Sequence, residues 1–505
     1  VPLSLGLFGF PVEDVDIRST PMIADLDGNT FNEIYFGSDS MLYGKWMGGL
    51  DVNGFPFSVG TEITTSTSAG DLDGDGDKEV VFGTLDGSIY ALTKTGTEHM
   101  TYDQDDPIID VPVLADLDQD GDLEIIFIAS NDSASALYAI HDTGGDVTGF
   151  PVNISEKVVA CPSVADLNNN MILDIVIVTL EGNVYVVEAT GVYSIYMPLS
   201  TDDSFSSPVA IADLDGDQDL EIILGDDNGN IHVLHHDGLL MNSLETDSET
   251  ISGVSIADVD GDGSMELLFS GDDGYLHAWD PIANEESNGW PIDLGSPVIN
   301  EPITMDIDND GDQEVICVTE SNEVHFYHHD GASFQNFPYI SHHSIYSTPA
   351  VGDIDNDGDY EVILGTSSDL RVIDIAQEAG DKYTWATYRS SNHRNGYFDV
   401  TLASTSSNDF TIPTKYSLGN NYPNPFNPIT RISYGLPKDS NVSITVYDIN
   451  GRVVNLLIDS DQPAGQGSII WNGKNDAGMS VAAGLYFYKM QAGTFHQTNK
   501  MILLK

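Results

Sequence analysis

Basic residues are scarce in this 505-residue chain: 17 Lys+Arg stand against 81 Asp+Glu, for a formal net charge of −64. A nucleic-acid phosphate backbone needs a basic surface, so nucleic-acid binding is excluded as a function class. An anionic membrane surface repels the chain for the same reason. Cysteine is almost missing. Cys161 and Cys317 each sit in an apolar run, and both read as small buried apolar residues rather than as a disulfide. No apolar stretch reaches the ~18 residues that span a bilayer, so no transmembrane segment is expected. No helix-period pattern competes with strand signals. The motifs H-E-x-x-H, G-x-S-x-G, the P-loop and the dinucleotide glycine signature are all absent. The first residues, VPLSLGLFGF, lack Met and a basic n-region and read as a mature or trimmed terminus. With 41% hydrophobic and 9% aromatic residues, the chain can still build a core.

The charge is unevenly placed. Residues 1–400 hold 9 Lys+Arg and 75 Asp+Glu, while residues 401–505 hold 8 and 6. That break separates two domains.

One nine-residue acidic pattern recurs eight times, beginning at Asp25, Asp71, Asp116, Asp166, Asp213, Asp258, Asp306 and Asp353. The intervals are 46, 45, 50, 47, 45, 48 and 47 residues, a period typical of arrays and propellers. Each copy follows a short apolar run and precedes a fully apolar stretch such as EVVF, EIIF or EVIL, as expected of a strand buried on both faces. A Gly- or Asn-containing turn and a third strand (SIYAL, NVYVV, NIHVL) come next. Five Gly-aromatic-Pro or Asn-aromatic-Pro tripeptides, centred on Phe10, Phe55, Phe150, Trp290 and Phe337, mark the start of an outer fourth strand. The eighth repeat lacks one, whereas the tripeptide at Phe10 precedes any complete repeat. Residues about 7–14 are therefore expected to complete the last blade and remove an open edge.

The spacing D-x-D-x-D-G-x-x-E places oxygen donors at alternate positions of a tight loop, which wraps a hard cation. An all-oxygen set favours Ca²⁺ over zinc or copper. The candidate ligands of the first two loops are Asp25, Asp27, Asn29 and Glu33, then Asp71, Asp73, Asp75 and Glu79, with Asp77 through its carbonyl. The third offers Asp116, Asp118, Asp120, Asp122 and Glu124; the fourth offers Asp166, Asn168, Asn170 and Asp174. The fifth offers Asp213, Asp215, Asp217, Asp219 and Glu221; the sixth offers Asp258, Asp260, Asp262, Ser264 and Glu266. The last two offer Asp306, Asp308, Asp310, Asp312 and Glu314, then Asp353, Asp355, Asp357, Asp359 and Glu361. Together the eight loops hold 34 of the 81 carboxylates in 72 residues, a density that repels itself without a cation. Seven or eight Ca²⁺ ions are expected. The loop at Asp166 is the weakest, because only Asp166 and Asp174 are acids and Met171 stands where glycine is usual.

These repeats resemble the FG-GAP/VCBS repeats of integrin-α-like β-propellers. The resemblance implies that the loops are structural calcium sites bracing the blades. The segment WATYRSSNHRNGYF, Trp385 to Phe398, resembles the closing tail that follows such propellers in secreted bacterial proteins. Further on, LGNNYPNPFNPITRISYGLP, VYDINGRVV, WNGKNDAGMSVAAGLYFYKM and the final KMILLK resemble the type IX secretion sorting domain and the FlgD-type Ig-like module. Read by themselves, these residues give six or seven short alternating strands with a hairpin signal at Asn450-Gly451, which is a β-sandwich.

The expected fold is all-β: an eight-bladed β-propeller, or alternatively seven blades, over residues 1–400, a linker over 401–412, and a small Ig-like β-sandwich sorting domain over 413–505. The expected function is a secreted, calcium-stabilised, non-enzymatic adhesion, ligand-binding or structural protein on the outer surface of a Gram-negative, Bacteroidetes-like bacterium. The resemblance adds a type IX-like secretion machinery as a partner. An unidentified surface glycan or protein is the other expected partner, and self-association is possible. Two alternatives stand: a calcium-dependent polysaccharide lyase or hydrolase, and a subunit of an extracellular assembly. His232, His277 and His325 each lie 19 residues after their repeat's first Asp, where Tyr90 and Tyr185 stand elsewhere, so they read as core positions.

Overall fold

The computed structural model describes residues 10–26, 31–194, 199–200, 204–298, 300–355, 357–378, 385–398, 415–422, 426, 430–436, 438, 440–449, 451–462, 465–475, 479, 481–493 and 495–504. Every regular element among them is a β-strand, and no helix is long and apolar enough to cross a membrane. The chain forms two compact units, Val1–Ser404 and Thr405–Lys505.

The first unit contains eight sheets, one per acidic repeat. Sheet two shows the plan. Ser68–Gly70 is the inner strand, Glu79–Gly83 the second, Ser88–Leu92 the third and Glu98–Asp103 the outer one, all antiparallel. Residues 79–83 are buried throughout, because neighbouring sheets cover both faces of the second strand. In the other repeats Glu124–Ser130, Asp174–Val178, Glu221–Gly225 and Glu314–Val318 behave alike. The acidic loop always joins the inner strand to the second. The five aromatic-Pro tripeptides lead directly into outer strands, such as Phe57–Ser58 and Val152–Ile154.

Sheet eight takes its outer strand from the start of the chain. Val12–Glu13 pairs antiparallel with Asp369–Glu378, matching Val12 to Leu370. Ile17, Ile34 and Phe36 share one apolar cluster with Ala350, Ile354 and Ile363, so the first sheet packs on the eighth and the ring closes. Cys161 and Cys317 are buried and free.

Residues 385–398 line the inner strands. Asn392 bonds to Ile23 and Ala69 of sheets one and two (2.8 and 2.9 Å), and the His393 carbonyl accepts from Leu114 of sheet three. The carbonyls of Asn395 and Gly396 accept from Val164 and Ile211 of sheets four and five. Those of Trp385 and Ala386 accept from Thr304 and Val351 of sheets seven and eight. Seven of the eight sheets are thus bonded to one fourteen-residue segment. The segment ends as a fifth strand of sheet five, Tyr397–Phe398, parallel to Ala210–Ala212. The four-stranded repeat does not anticipate this strand, since the tail supplies it from outside the repeat.

Two arginines of the tail, Arg389 and Arg394, are fully buried. The Arg389 guanidinium donates to the Val209 carbonyl (2.7 Å) and to Ser163 Oγ (2.5 Å), and Arg394 Nε donates to the Thr67 carbonyl (3.0 Å). Buried charge needs compensation. Glu301 supplies it, accepting from the Trp385 indole (2.9 Å) and from the Arg389 backbone amide. Asp110, aimed inward by a bulge in Ile108–Ala115, accepts from Tyr388 (2.7 Å).

The second unit holds two sheets. One runs Ser417–Tyr422, Thr430–Leu436, Gly465–Trp471; the other runs Val453–Gln462, Ser440–Tyr447, Gly484–Ala492, Phe495–Leu503. Seven strands enclose Ile432, Val442, Ile444, Val446, Trp471, Tyr488, Met490 and Met501, all fully buried. Gly451 takes φ 75° between two of those strands, while Asn450 lies outside the described residues.

Glu301, which burial pushes up to about 7, and Asp110 are the buried acids that face both arginines. Glu301→Ala should lower unfolding stability by about 1–3 kcal/mol, the usual cost of leaving buried donors, here the Trp385 indole and the Arg389 amide, without an acceptor. Glu301→Gln, which keeps the acceptor for Trp385, should cost less. Chemical denaturation of both variants measures the difference.

Candidate metal centres

Among the described residues the eight loops share internal contacts, numbered from position one, the first aspartate, to position nine, the closing acid. The position-nine carboxylate turns back and accepts the backbone amide of position two in every loop. The contacts are Glu33 to Leu26 (3.3 Å), Glu79 to Leu72 (3.2 Å), Glu124 to Leu117 (2.7 Å) and Asp174 to Leu167 (3.3 Å). They continue as Glu221 to Leu214 (2.9 Å), Glu266 to Val259 (2.8 Å), Glu314 to Ile307 (2.9 Å) and Glu361 to Ile354 (2.8 Å). This acid opens the buried second strand in seven loops and is its third residue, Glu361, in the eighth; it is buried in all of them.

Position one gathers the middle of the loop. Asp71 accepts from the amides of Asp75 (3.1 Å) and Gly76 (2.9 Å), and Asp213 accepts from Gly216 (2.7 Å) and Gln218 (3.2 Å). Position five accepts the amide of position seven in seven loops, at 2.7–3.2 Å. The turn needs positive φ at position six: Gly76, Gly121, Gly263, Gly311 and Gly358 take 93–105°. An added Cβ there would meet nothing, so backbone conformation alone selects glycine. Gln218 (φ 80°) and Met171 (φ 70°) adopt the same conformation without it. Position four is also left-handed, at Gly74, Gln119, Asn169, Gly216, Gly261 and Asn309, a constraint that the spacing argument overlooked.

The carboxylates converge. One oxygen each from Asp71, Asp73 and Asp75 lies within 4.8 Å of the others, and Asp116, Asp118 and Asp120 do the same. Position seven points elsewhere: the Asp77 side chain meets Lys94 Nζ at 2.6 Å, and Asp312 meets His329 Nδ1 at 2.9 Å. In the first loop Asp25 and Glu33 are placed, while Asp27 and Asn29 lie outside the described residues. In the fourth, Glu188 pairs in register with Asp174 and adds a carboxylate from the third strand.

In three loops an imidazole stands beside the closing acid, a neighbour that the all-oxygen expectation did not include. His141 Nδ1 lies 3.1 Å from Glu124 Oε1, His235 Nδ1 lies 3.2 Å from Glu221 Oε1, and His328 Nδ1 lies 3.0 Å from Glu314 Oε1. Strand register causes this. Ile125 faces Ile140, Ile222 faces Leu234 and Val315 faces Tyr327, so the residue ending the third strand returns to the closing acid. The signal in the sequence was the pair of histidines 22 residues after Asp213 and Asp306. In sheet three a longer hairpin moves the equivalent to 25 residues and hides it. Of the histidines 19 residues on, His277 stacks on Phe269 (4.7 Å), as Tyr90 stacks on Phe82 (5.5 Å).

Burial, reinforced by the loop aspartates, raises the closing acids. Glu79 and Glu221 are pushed up to about 7, Glu266 to about 8, and Glu314 and Glu361 to about 9. Asp174, with fewer acidic neighbours, rises to about 6. Burial thus disfavours the charged form of these closing acids.

FG-GAP-like repeats match residues 213–269 and 306–364, which carry the last four acidic loops. A FlgD Ig-like domain matches residues 428–495. No curated protein matches the chain. Among solved structures, Sqt1 of Saccharomyces cerevisiae is 13% identical over 74% of this chain and 99% of its own, with a TM-score of 0.56. BamB of Moraxella catarrhalis is 14% identical over 74% and 100%, with a TM-score of 0.52. The C-terminal WD40 domain of Sif2 is 16% identical over 74% and 98%, at 0.50. At these identities the likeness shows the fold alone: the first unit is a β-propeller, and an Ig-like domain follows it.

The raised acids fix the sign of a pH dependence for protein stripped of cations. Unfolded carboxylates titrate near 4.3, so between about pH 5 and 9 the folded state binds more protons than the unfolded one. The stability they lend is complete at the low end and is lost as pH rises through 7–9. Thermal midpoints in chelator should fall across this interval. Restoring the cation should flatten the profile.

Proposed function

We propose that the chain is a secreted, calcium-braced β-propeller that acts as a non-enzymatic adhesion, ligand-binding or structural protein at a cell surface, with its C-terminal Ig-like domain serving as a sorting module. The observation carrying the calcium reading is the closing acid that accepts the position-two amide in all eight loops, beside carboxylates at positions one, three and five that converge in the loops beginning at Asp71 and Asp116. Asp71, Asp73, Asp75 and Glu79 typify the ligands, and the ion neutralises charge that the fold cannot avoid. Oxygen donors at alternate positions suit Ca²⁺. The loop at Asp166, with asparagines at positions three and five, is the weakest site.

The non-enzymatic reading draws support from the filled axis. Trp385, Arg389 and Arg394 occupy the inner rim and are fully buried, where a substrate would otherwise enter. Export rests on the FlgD Ig-like match of residues 428–495 and on the electrostatic contrast between the two units.

Extracellular calcium modules bind at Kd around 10⁻⁴–10⁻³ M. At about 1 mM Ca²⁺ each site then adds roughly 0.4–1.4 kcal/mol, and seven or eight sites add several kcal/mol. EGTA should lower the melting temperature substantially, and Ca²⁺ should restore it. Unchanged melting in EGTA would sink the calcium reading. Export is tested separately on material taken from cells: a mature product ending near residue 410 supports sorting and removal, whereas intact chains in large particles favour an assembly subunit.

A further inference from the structure

We propose that the loops of sheets three, five and seven are mixed nitrogen–oxygen sites that take a first-row transition cation, with Zn²⁺ as the probe, in place of Ca²⁺. The inference rests on the cation reading above and divides the loops into two chemical classes.

The first class has oxygen alone. At the end of the third strand, where it returns to the closing acid, sheet two has Thr93, sheet six Asp280 and sheet eight Asp374. The second class has an imidazole at that place. Asp118, Glu124 and His141 bring one ligand atom each within 4.8 Å of one another; so do Asp215, Glu221 and His235, and Asp308, Glu314 and His328. The same ring nitrogen, Nδ1, faces the same carboxylate oxygen, Oε1, in all three. Two donors each 2.0–2.2 Å from one ion, at cis or tetrahedral angles, stand roughly 3.0–3.5 Å apart. The observed 3.0–3.2 Å is a hydrogen-bond distance that also falls in this range, so one ion can replace the shared proton by a small tilt of the ring.

The surroundings favour this use. The histidine side chains are 29–34% exposed, so an ion can arrive from solvent, while the glutamates beneath are at most 1% exposed. In loop seven, neither oxygen of Asp306, itself 1% exposed, makes a hydrogen bond of normal geometry. Asp116 Oδ1 in loop three is also buried without such a bond. Imidazole with carboxylates suits borderline cations such as Zn²⁺, whereas Ca²⁺ gains nothing from nitrogen. The neighbouring His236 and His329 contact position-seven acids, at 3.3 and 2.9 Å, and are not counted as ligands.

The test uses the full chain, stripped with chelator and dialysed against about 1 mM Ca²⁺ with micromolar Zn²⁺. Metal content is then measured by plasma mass spectrometry. Wild type should retain about three equivalents of Zn²⁺ that the His141→Gln/His235→Gln/His328→Gln variant loses, with its Ca²⁺ content not reduced. A His342→Gln/His343→Gln control should keep its zinc. If the triple variant does not fold, each single variant should lose about one equivalent. Co²⁺ substitution should give a visible spectrum of nitrogen–oxygen coordination that the triple variant lacks. Equal zinc in wild type and variant, or none in either, overturns the proposal. Zinc bound and lost as described, without calcium uptake elsewhere, upholds the histidine sites and sinks the calcium reading alone.

Discussion

A buried carboxylate at the start of the second strand's buried run accepts the amide of the second residue in its own loop eight times in this protein, from Glu33 to Glu361. That hydrogen bond ties the loop's first turn to the second strand and fixes where the sheet begins. It also commits a negative charge to a place where water cannot solvate it. The aspartates at positions one, three and five add to the repulsion. The loop's shape therefore requires positive charge, as protons or as a metal ion, and the second choice can be shared by several acids at once. Of the 81 carboxylates, 34 follow from a local requirement met eight times rather than from a need for an acidic surface.

The second constraint is the tail. Within a blade, strands pair with neighbours close in sequence. Between blades, apolar faces pack, and packing alone permits sliding. Residues 385–398 add directional bonds to inner strands in seven sheets and carry two guanidinium groups into the centre. The positive charges are costly there, and Glu301 and Asp110 are arranged against them. Of the nine basic residues before position 400, two are spent in this way.

Much of this was legible in the sequence, for a physical reason. A repeat states its own period, and the alternation of apolar runs with acidic loops identifies strands and connections eight times over. The aromatic-Pro tripeptides located outer strands, including the orphan at Phe10, and alternation announced six or seven strands in the second unit, where the structure describes seven. What stayed hidden depends on register or on distance. His141, His235 and His328 reach their glutamates only because antiparallel pairing folds the third strand back on the second, and a three-residue difference in one hairpin breaks the numerical pattern. The partners of Arg389 lie 88 to 226 positions away, and no local signal names them. Glu301 resembled any other acid in a chain full of them.

Both pieces that complete the ring come from the extremes of its sequence: Val12–Glu13 at one end and residues 385–398 at the other. A chain delivered from its N-terminus, by a ribosome or through a pore, presents Val12 long before Leu370 exists to receive it. Until residue 398 has emerged, the inner rim lacks its bonds and one outer edge stays open. The architecture thus sets a clock on its own maturation. Seven sheets can collapse early, but the finished ring is a late product, and the domain that follows it is the next part of the chain to emerge.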